Sequence, residues 1–306
     1  MNDQLLLLDG ALATELERKG ADLNDPLWSA RLLPEQPGLL RQTHLDYLEA
    51  GADIICTATY QATFEGFQKK GYSRKKAESL LRLAVQLACE ARDEYLATRP
   101  ATRRPLIAGS IGPYGAYLAD GSEYSGHYNL NKKELMDFHR DRMEVLLDAG
   151  VDLLIFETFP SYIETEAVVE LLEKMAPCPA LFSFSCKDEK RISDGHLFKE
   201  AAGLASQCTQ IKGVGINCVH PKLVSPLIES LNGSIRVPLM AYPNNGNIWD
   251  ANHKCWIETG PPLQMEALWQ QWIKQGVKII GGCCNTSPDY IARLKEILVK
   301  PMSPHE

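Results

Sequence analysis

The chain has no long apolar run. Its apolar opening is Leu5 to Leu8, flanked by Asp3 and Asp9. A membrane span needs about 20 apolar residues, and an export signal needs a basic start and a longer apolar core. With no lipidation motif at the C-terminus either, the expectation is a cytoplasmic protein without a membrane partner. Positive charge is also in short supply: 32 Lys and Arg stand against 39 Asp and Glu, a net charge of −7. Neutralising a phosphate backbone takes clustered Lys and Arg, so a nucleic-acid partner is not expected. Two phosphate loops are missing as well. No G-x-G-x-x-G follows the first strand-like run and no G-x-x-x-x-G-K-[ST] occurs anywhere, which disfavours nucleotide chemistry. Finally, no Pro/Ser/Gly-rich linker, charge block or repeat tract divides the 306 residues. One domain over residues 1–300 is expected, with a short tail at 301–306.

What recurs instead is a short pattern: a helix-forming stretch, a glycine, then a β-branched apolar run. It reads Glu49-Ala-Gly-Ala-Asp-Ile-Ile, Asp148-Ala-Gly-Val-Asp-Leu-Leu and Lys274-Gln-Gly-Val-Lys-Ile-Ile, with a weaker copy at Ile211-Lys-Gly-Val-Gly-Ile. The glycine fits a left-handed helix C-cap, and the run after it fits a strand buried on both faces. Eight such runs fall at 4–9, 52–60, 106–112, 152–158, 180–186, 213–218, 238–244 and 278–283. Helical stretches, clearest at 74–96 and 133–149, separate most of them. Eight strands alternating with helices point to a closed (β/α)8 barrel in a single domain, with a doubly wound open sheet as the alternative.

In such a barrel the chemistry sits at the strand C-termini. Those positions hold Asp9-Gly10, Thr57 to Gln61, Gly109 to Gly115, Glu157-Thr158, Asn217-Cys218, Tyr242 to Asn244 and Gly282-Cys283-Cys284. The nine cysteines are an odd number without an export signal, so a disulfide framework is not expected. Three of them, Cys218, Cys283 and Cys284, end strands six and eight, which flank strand seven. Three thiolates suit one zinc ion per chain with a fourth position left open; the C-x2-4-C spacing of a closed structural site is absent. Cys56, Cys89, Cys178, Cys186, Cys208 and Cys255 read as packing residues, since free cysteine is usually a small buried hydrophobe. An open tri-thiolate zinc deprotonates a substrate thiol and keeps it nucleophilic, which points to alkyl transfer onto sulfur. Two other classes stay open: a dithiol redox or metal-binding protein using Cys283 and Cys284, and a zinc hydrolase. Against the hydrolase, the histidines mostly fall in helices and loops, and His220 reads as a helix start.

At these residues the sequence resembles the homocysteine S-methyltransferase family. The likeness runs in order through Asp9-Gly-Ala-Leu-Ala-Thr-Glu-Leu, Tyr60-Gln-Ala, the segment from Gly109 to Tyr124, Glu157-Thr-Phe-Pro, Gly215-Ile-Asn-Cys, Tyr242-Pro-Asn and Gly281-Gly-Cys-Cys. It is strongest for the compact members that use S-methylmethionine. The resemblance implies zinc on Cys218, Cys283 and Cys284, homocysteine sulfur at the open position, and methionine as the product. It also implies that Asp9 and Glu157 bind the substrate ammonium group, with Gly10, Ala11 and Thr57 as candidate contacts for its carboxylate. Within the family, the short C-terminal end and the lack of room for folate and cobalamin domains favour a sulfonium donor: S-methylmethionine, or S-adenosylmethionine less efficiently. A betaine-type donor and other thiol or selenol acceptors are the alternatives. Tyr114, Tyr117, Tyr124 and Trp249, with Trp256, are candidates to face the sulfonium. Asn245-Gly-Asn247 departs from the Ser-Gly-Glu usual in these compact relatives. Nothing in the sequence signals assembly, so a monomer is expected.

Overall fold

A computed structural model describes residues 5–99, 103–250, 255–257 and 263–299, with backbone alone at 248–250, 255–257 and 299. Eight parallel strands form the central sheet: β1 (Leu6–Leu7), β2 (Ile54–Cys56), β3 (Leu106–Ile111), β4 (Leu153–Phe159), β5 (Ala180–Phe184), β6 (Ile211–Asn217), β7 (Leu239–Tyr242) and, after an excursion, β10 (Val277–Ile280). The excursion is a small antiparallel hairpin, β8 (Ile248–Asp250) with β9 (Cys255–Ile257). Hydrogen bonding runs in the order β1-β10-β7-β6-β5-β4-β3-β2. A parallel bridge between Leu8 and Ile54 joins the two ends and closes the ring. The expected (β/α)8 barrel is therefore the fold.

The glycine pattern works as chemistry dictates at three of its four copies. Gly51, Gly150 and Gly276 have φ of 105°, 90° and 97°, the left-handed region a Cβ disfavours, and each ends a helix just before a strand. The fourth copy differs: Gly213 lies inside β6, where it makes room in the barrel interior rather than capping a helix. Both long helices have side-chain N-caps. Ser73 accepts from the Lys76 amide at the start of Arg74–Thr98, and Asn131 forms a capping box with Glu134 ahead of Lys132–Asp148.

Alternation along the strands sorts residues between two cores. Leu6, Leu8, Ile54, Ala108, Leu153, Ile155, Leu181, Met240 and Ile279 pack together inside the barrel. Their neighbours Leu7, Ile111, Leu154, Phe156, Phe182 and Ile280 join the core beneath the helices. Continuing the inward series by two residues at a time reaches Ser110, Glu157, Ser183, Asn217 and Tyr242. The lower layers of the lumen are thus apolar and the uppermost is polar. Among the described residues, no helix is long and apolar enough to cross a membrane.

Candidate metal and substrate site

The strand ends bring three thiols together. The Sγ atoms of Cys218, Cys283 and Cys284 all lie within 4.8 Å of one another, with 3.6 Å between Cys218 and Cys284. Cys218 follows β6 with φ of 52°, an uncommon backbone conformation for a residue with a side chain. Cys283 and Cys284 follow β10 on a turn that approaches its neighbours closely. A Cβ on Gly282 would lie 2.2 Å from Thr286 Oγ1. The Thr286 hydroxyl donates to the Cys283 carbonyl at 2.6 Å, and the Cys283 amide donates to the Pro243 carbonyl at 2.8 Å. The Tyr124 hydroxyl stands 3.1 Å from Cys218 Sγ. Hydrogen bonds from Cys283 and Cys284 hold the Cys218 thiol well below its ordinary value. The bond to Cys218 in turn pushes the other two thiols up. Three thiols this close share one negative charge readily and three only with a cation among them.

Two carboxyl groups sit beside the thiols. Asp9 is buried and accepts from the Cys56 amide at 2.7 Å. Glu157 keeps some surface open to the barrel mouth and accepts from the Ser110 hydroxyl. Burial pushes both carboxyls up, with Asp9 raised further by the charge of Glu157. Glu157 is pushed up to about 7, first by burial and then by Cys283, while Ser110 and Tyr242 pull it down. Two carboxyls short of cationic partners form a receptor for a positive group. Behind them, Asn217 fixes the floor: its Oδ1 accepts from the Thr158 amide at 2.7 Å and from Ser183 Oγ at 2.8 Å, and its Nδ2 donates to Thr158 Oγ1 at 2.8 Å. These bonds hold Thr158 at φ of 62°.

The other sequence candidates fall less uniformly. The Thr57 hydroxyl bonds Thr59 at 2.7 Å and accepts from the Ser110 amide at 3.1 Å, so it is committed to holding β2 against β3. The Ala11 amide donates to Thr286, to its carbonyl and to its hydroxyl, each at 3.2 Å. The Gly10 amide has no hydrogen bond among the described residues. Tyr124 joins the thiols, but Tyr114 and Tyr117 do not: both pack on Phe138, at ring separations of 5.0 and 5.6 Å. The Tyr117 ring also lies under Lys69 Nζ. Their contacts among the described residues are with one another, Phe138, Tyr128 and Lys69. The side chains of Trp249 and Trp256, and all of His253, lie outside the described residues. His220 caps the turn at Pro221–Leu223 and accepts from the Lys222 amide, as its reading as a helix start anticipates.

No site role is read from the sequence for Ser110, Ser183, Tyr60 or Glu123, although Tyr60, Ser110 and Glu123 lie within its motifs. The first two were legible as serines on the inward series of apolar strands. Tyr60 bonds Thr158 and lies within electrostatic reach of Cys218. Its carbonyl and that of Gly112 are held by the buried Arg142, at 3.4 and 2.7 Å.

Residues 6–298 match the family model described as homocysteine S-methyltransferase. The chain belongs to the homocysteine S-methyltransferase family. It is 47% identical to homocysteine S-methyltransferase 2 of Zea mays over 96% of this chain and 90% of that protein. It is 45% identical to a selenocysteine Se-methyltransferase of Brassica oleracea var. italica, over 97% and 90%. Among solved structures, the metallated form of the homocysteine methyltransferase MmuM from Escherichia coli superposes with a TM-score of 0.87, at 43% identity and 96% coverage of both chains. As a family member, the chain carries a methyltransferase activity, and its clustered thiols are a group able to hold a metal.

Proposed function

We propose that this protein is a zinc-dependent homocysteine S-methyltransferase that takes its methyl group from a sulfonium donor and produces methionine. The observation that carries the reading is the thiol trio beside two under-compensated carboxyls, Asp9 buried and Glu157 half-buried, at the mouth of one barrel. The donor set fits zinc. With Zn–S bonds of about 2.3 Å, tetrahedral geometry spaces ligand sulfurs roughly 3.8 Å apart, and the observed trio is of that size. One ion per chain would be held by Cys218, Cys283 and Cys284. The chemistry it supplies is an open fourth position at which a substrate thiol loses its proton yet stays electron-rich.

The chain's own residues do the rest. Asp9 and Glu157 hold the substrate ammonium, Glu157 being steadied by Ser110 and Tyr242. The Gly10 amide is the contact proposed for the substrate carboxylate, ahead of the Ala11 amide and Thr57 hydroxyl, which are already bonded. The Tyr124 hydroxyl, in contact with Cys218 Sγ, would donate to it once the thiol is ionised. The transfer step itself requires no general base, because a bound zinc would hold the acceptor as a thiolate and a methyl group carries no proton to be removed. The proposal places the enzyme in the cytoplasm, where a reducing medium keeps the thiols free, and takes it as a monomer.

The test is methionine formation by zinc-loaded, reduced protein from homocysteine, with S-methylmethionine, S-adenosylmethionine and betaine compared side by side. Selenocysteine is added as a second acceptor, because one relative is named for it. Turnover with the sulfonium donors and not betaine is expected. Betaine turnover alone would replace the donor, and no turnover despite bound zinc would overturn the substrate. Zinc-independent thiol exchange would favour a dithiol redox protein.

A further inference from the structure

Glu123 is a half-buried carboxylate, one oxygen of which the fold shields without a hydrogen-bond partner. It lies on the single turn Ser122–Tyr124, between the helix Tyr114–Leu118 and the thiols. That turn is fixed in place. A Cβ on Gly115 would meet the Glu123 amide nitrogen at 2.5 Å, and the Glu123 carbonyl accepts from Ser185 Oγ at 2.8 Å. The carboxyl Oε2 is shielded from solvent and has no hydrogen-bond partner. Among the described residues no Lys, Arg or His pairs with it; its own backbone amide is the compensating contact, and the nearby charge that acts on it is Asp120, of like sign. Leaving a charged oxygen dry and unpaired is costly. Burial accordingly pushes the carboxyl up to about 7.

Its place relative to the reaction is defined by what feels its charge: Tyr60, Tyr124 and Cys218. The next residue, Tyr124, touches Cys218 itself. Methyl transfer needs the donor's methyl carbon within about 3–3.5 Å of the acceptor sulfur, in line with the bond that breaks. The positive sulfur of a sulfonium must then stand a few ångströms beyond the acceptor sulfur, and Glu123 is within electrostatic reach of that cluster. A sulfonium offers no hydrogen-bond donor, so a bare carboxylate suits it better than a set of directed hydrogen bonds.

We propose that Glu123 is the counter-ion of the donor's sulfonium centre and sets the preference for a cationic sulfur donor. The inference rests on the sulfonium reading above. In the reaction the donor S–CH3 bond breaks with its electron pair left on the donor sulfur, and a new S–CH3 bond forms from the acceptor thiolate pair. One cation and one anion become two neutral thioethers. The charge that Glu123 recognises therefore fades in the transition state. Its contact favours the bound donor over the transition state, so its removal acts mainly on donor binding.

The experiment compares wild type, Glu123→Gln and Glu123→Asp at pH 8. Donor KM and kcat are measured with S-methylmethionine at saturating homocysteine, and calorimetry follows S-methylmethionine binding to the zinc-free protein. For Glu123→Gln the expected result is a donor KM and dissociation constant raised about ten- to hundredfold, the scale of a lost charged contact. The kcat should be unchanged or higher, and homocysteine KM and zinc content should stay within about twofold. Glu123→Asp, which keeps the charge, should recover most of the donor affinity. A donor KM unchanged in Glu123→Gln, in an enzyme whose wild type uses S-methylmethionine, overturns this inference alone. Equal losses for homocysteine and donor also overturn it, by showing a merely structural turn. Failure of the wild type with every sulfonium overturns the donor reading and this inference together.

Discussion

Replacing Glu157 by glutamine keeps the shape of the side chain, including an oxygen to accept from Ser110 and Tyr242, and removes the charge offered to the substrate ammonium. The magnitude follows from the ionisation of the free site. With the carboxyl pushed up to about 7, roughly a tenth of the sites are ionised at pH 6 and nine-tenths at pH 8, so apparent affinity for an ammonium ligand should rise about tenfold over that interval. Methionine is the probe of choice, because it carries the amino-acid head without a thiol that titrates. Calorimetry on reduced, metal-free protein should show this tenfold rise in the wild type. In Glu157→Gln the charge that raises Asp9 is gone as well, so Asp9 ionises at lower pH and the slope between pH 6 and 8 flattens. At pH 8 the variant should bind about 10- to 100-fold more weakly, the scale of a charged hydrogen bond. An equal slope in both proteins, or equal affinity at pH 8, would refute the assignment of Glu157 to the ammonium.

His44 is fully buried in the helix Pro37–Ala50, with neither ring nitrogen hydrogen-bonded, and burial lowers its pKa to about 4. Its unfolded form binds a proton more readily, so stability is lost as pH falls from about 6.5 towards about 4, amounting to about 2 kcal/mol at pH 5. Urea midpoints at pH 7 and pH 5 should therefore lie closer together in His44→Leu than in the wild type; an unchanged gap would contradict the cause. Gly282→Ala should drive Thr286 off the Cys283 carbonyl. Competition with a chelator should then show metal affinity reduced about 10- to 100-fold, as for other supports of metal ligands, whereas wild-type affinity would show that the turn does not position the thiols.

The barrel was legible because its signals are local and repeated. Gly51, Gly150 and Gly276 each stop a helix and release an apolar run, and strand neighbours then carry Cys218 to Cys283 and Cys284 without further information. The hairpin of β8 and β9 was not, since three-residue strands leave too little alternation to read. Gly213 imitates the capping glycine in sequence, and only the space it leaves inside the barrel distinguishes it. Tyr114 and Tyr117 stand in the same segment as Tyr124 and share its chemistry. A helical turn faces their rings to Phe138 while the next turn aims Tyr124 at Cys218, a difference set by backbone direction rather than residue type. Ser110 and Ser183 were readable in principle from the inward alternation, but a serine in a strand becomes informative only once the register is known. Glu123 is more hidden still: its interest lies in the partner it lacks, which no sequence displays.

The most direct test of the whole account is zinc K-edge X-ray absorption on the reduced, zinc-loaded protein before and after homocysteine is added. The account predicts three sulfur neighbours and one lighter atom at first, and four sulfurs at about 2.3 Å once homocysteine binds. A sulfur count that stays at three with substrate present, or one that starts at four, would contradict an open tri-thiolate site and the thiol chemistry built on it.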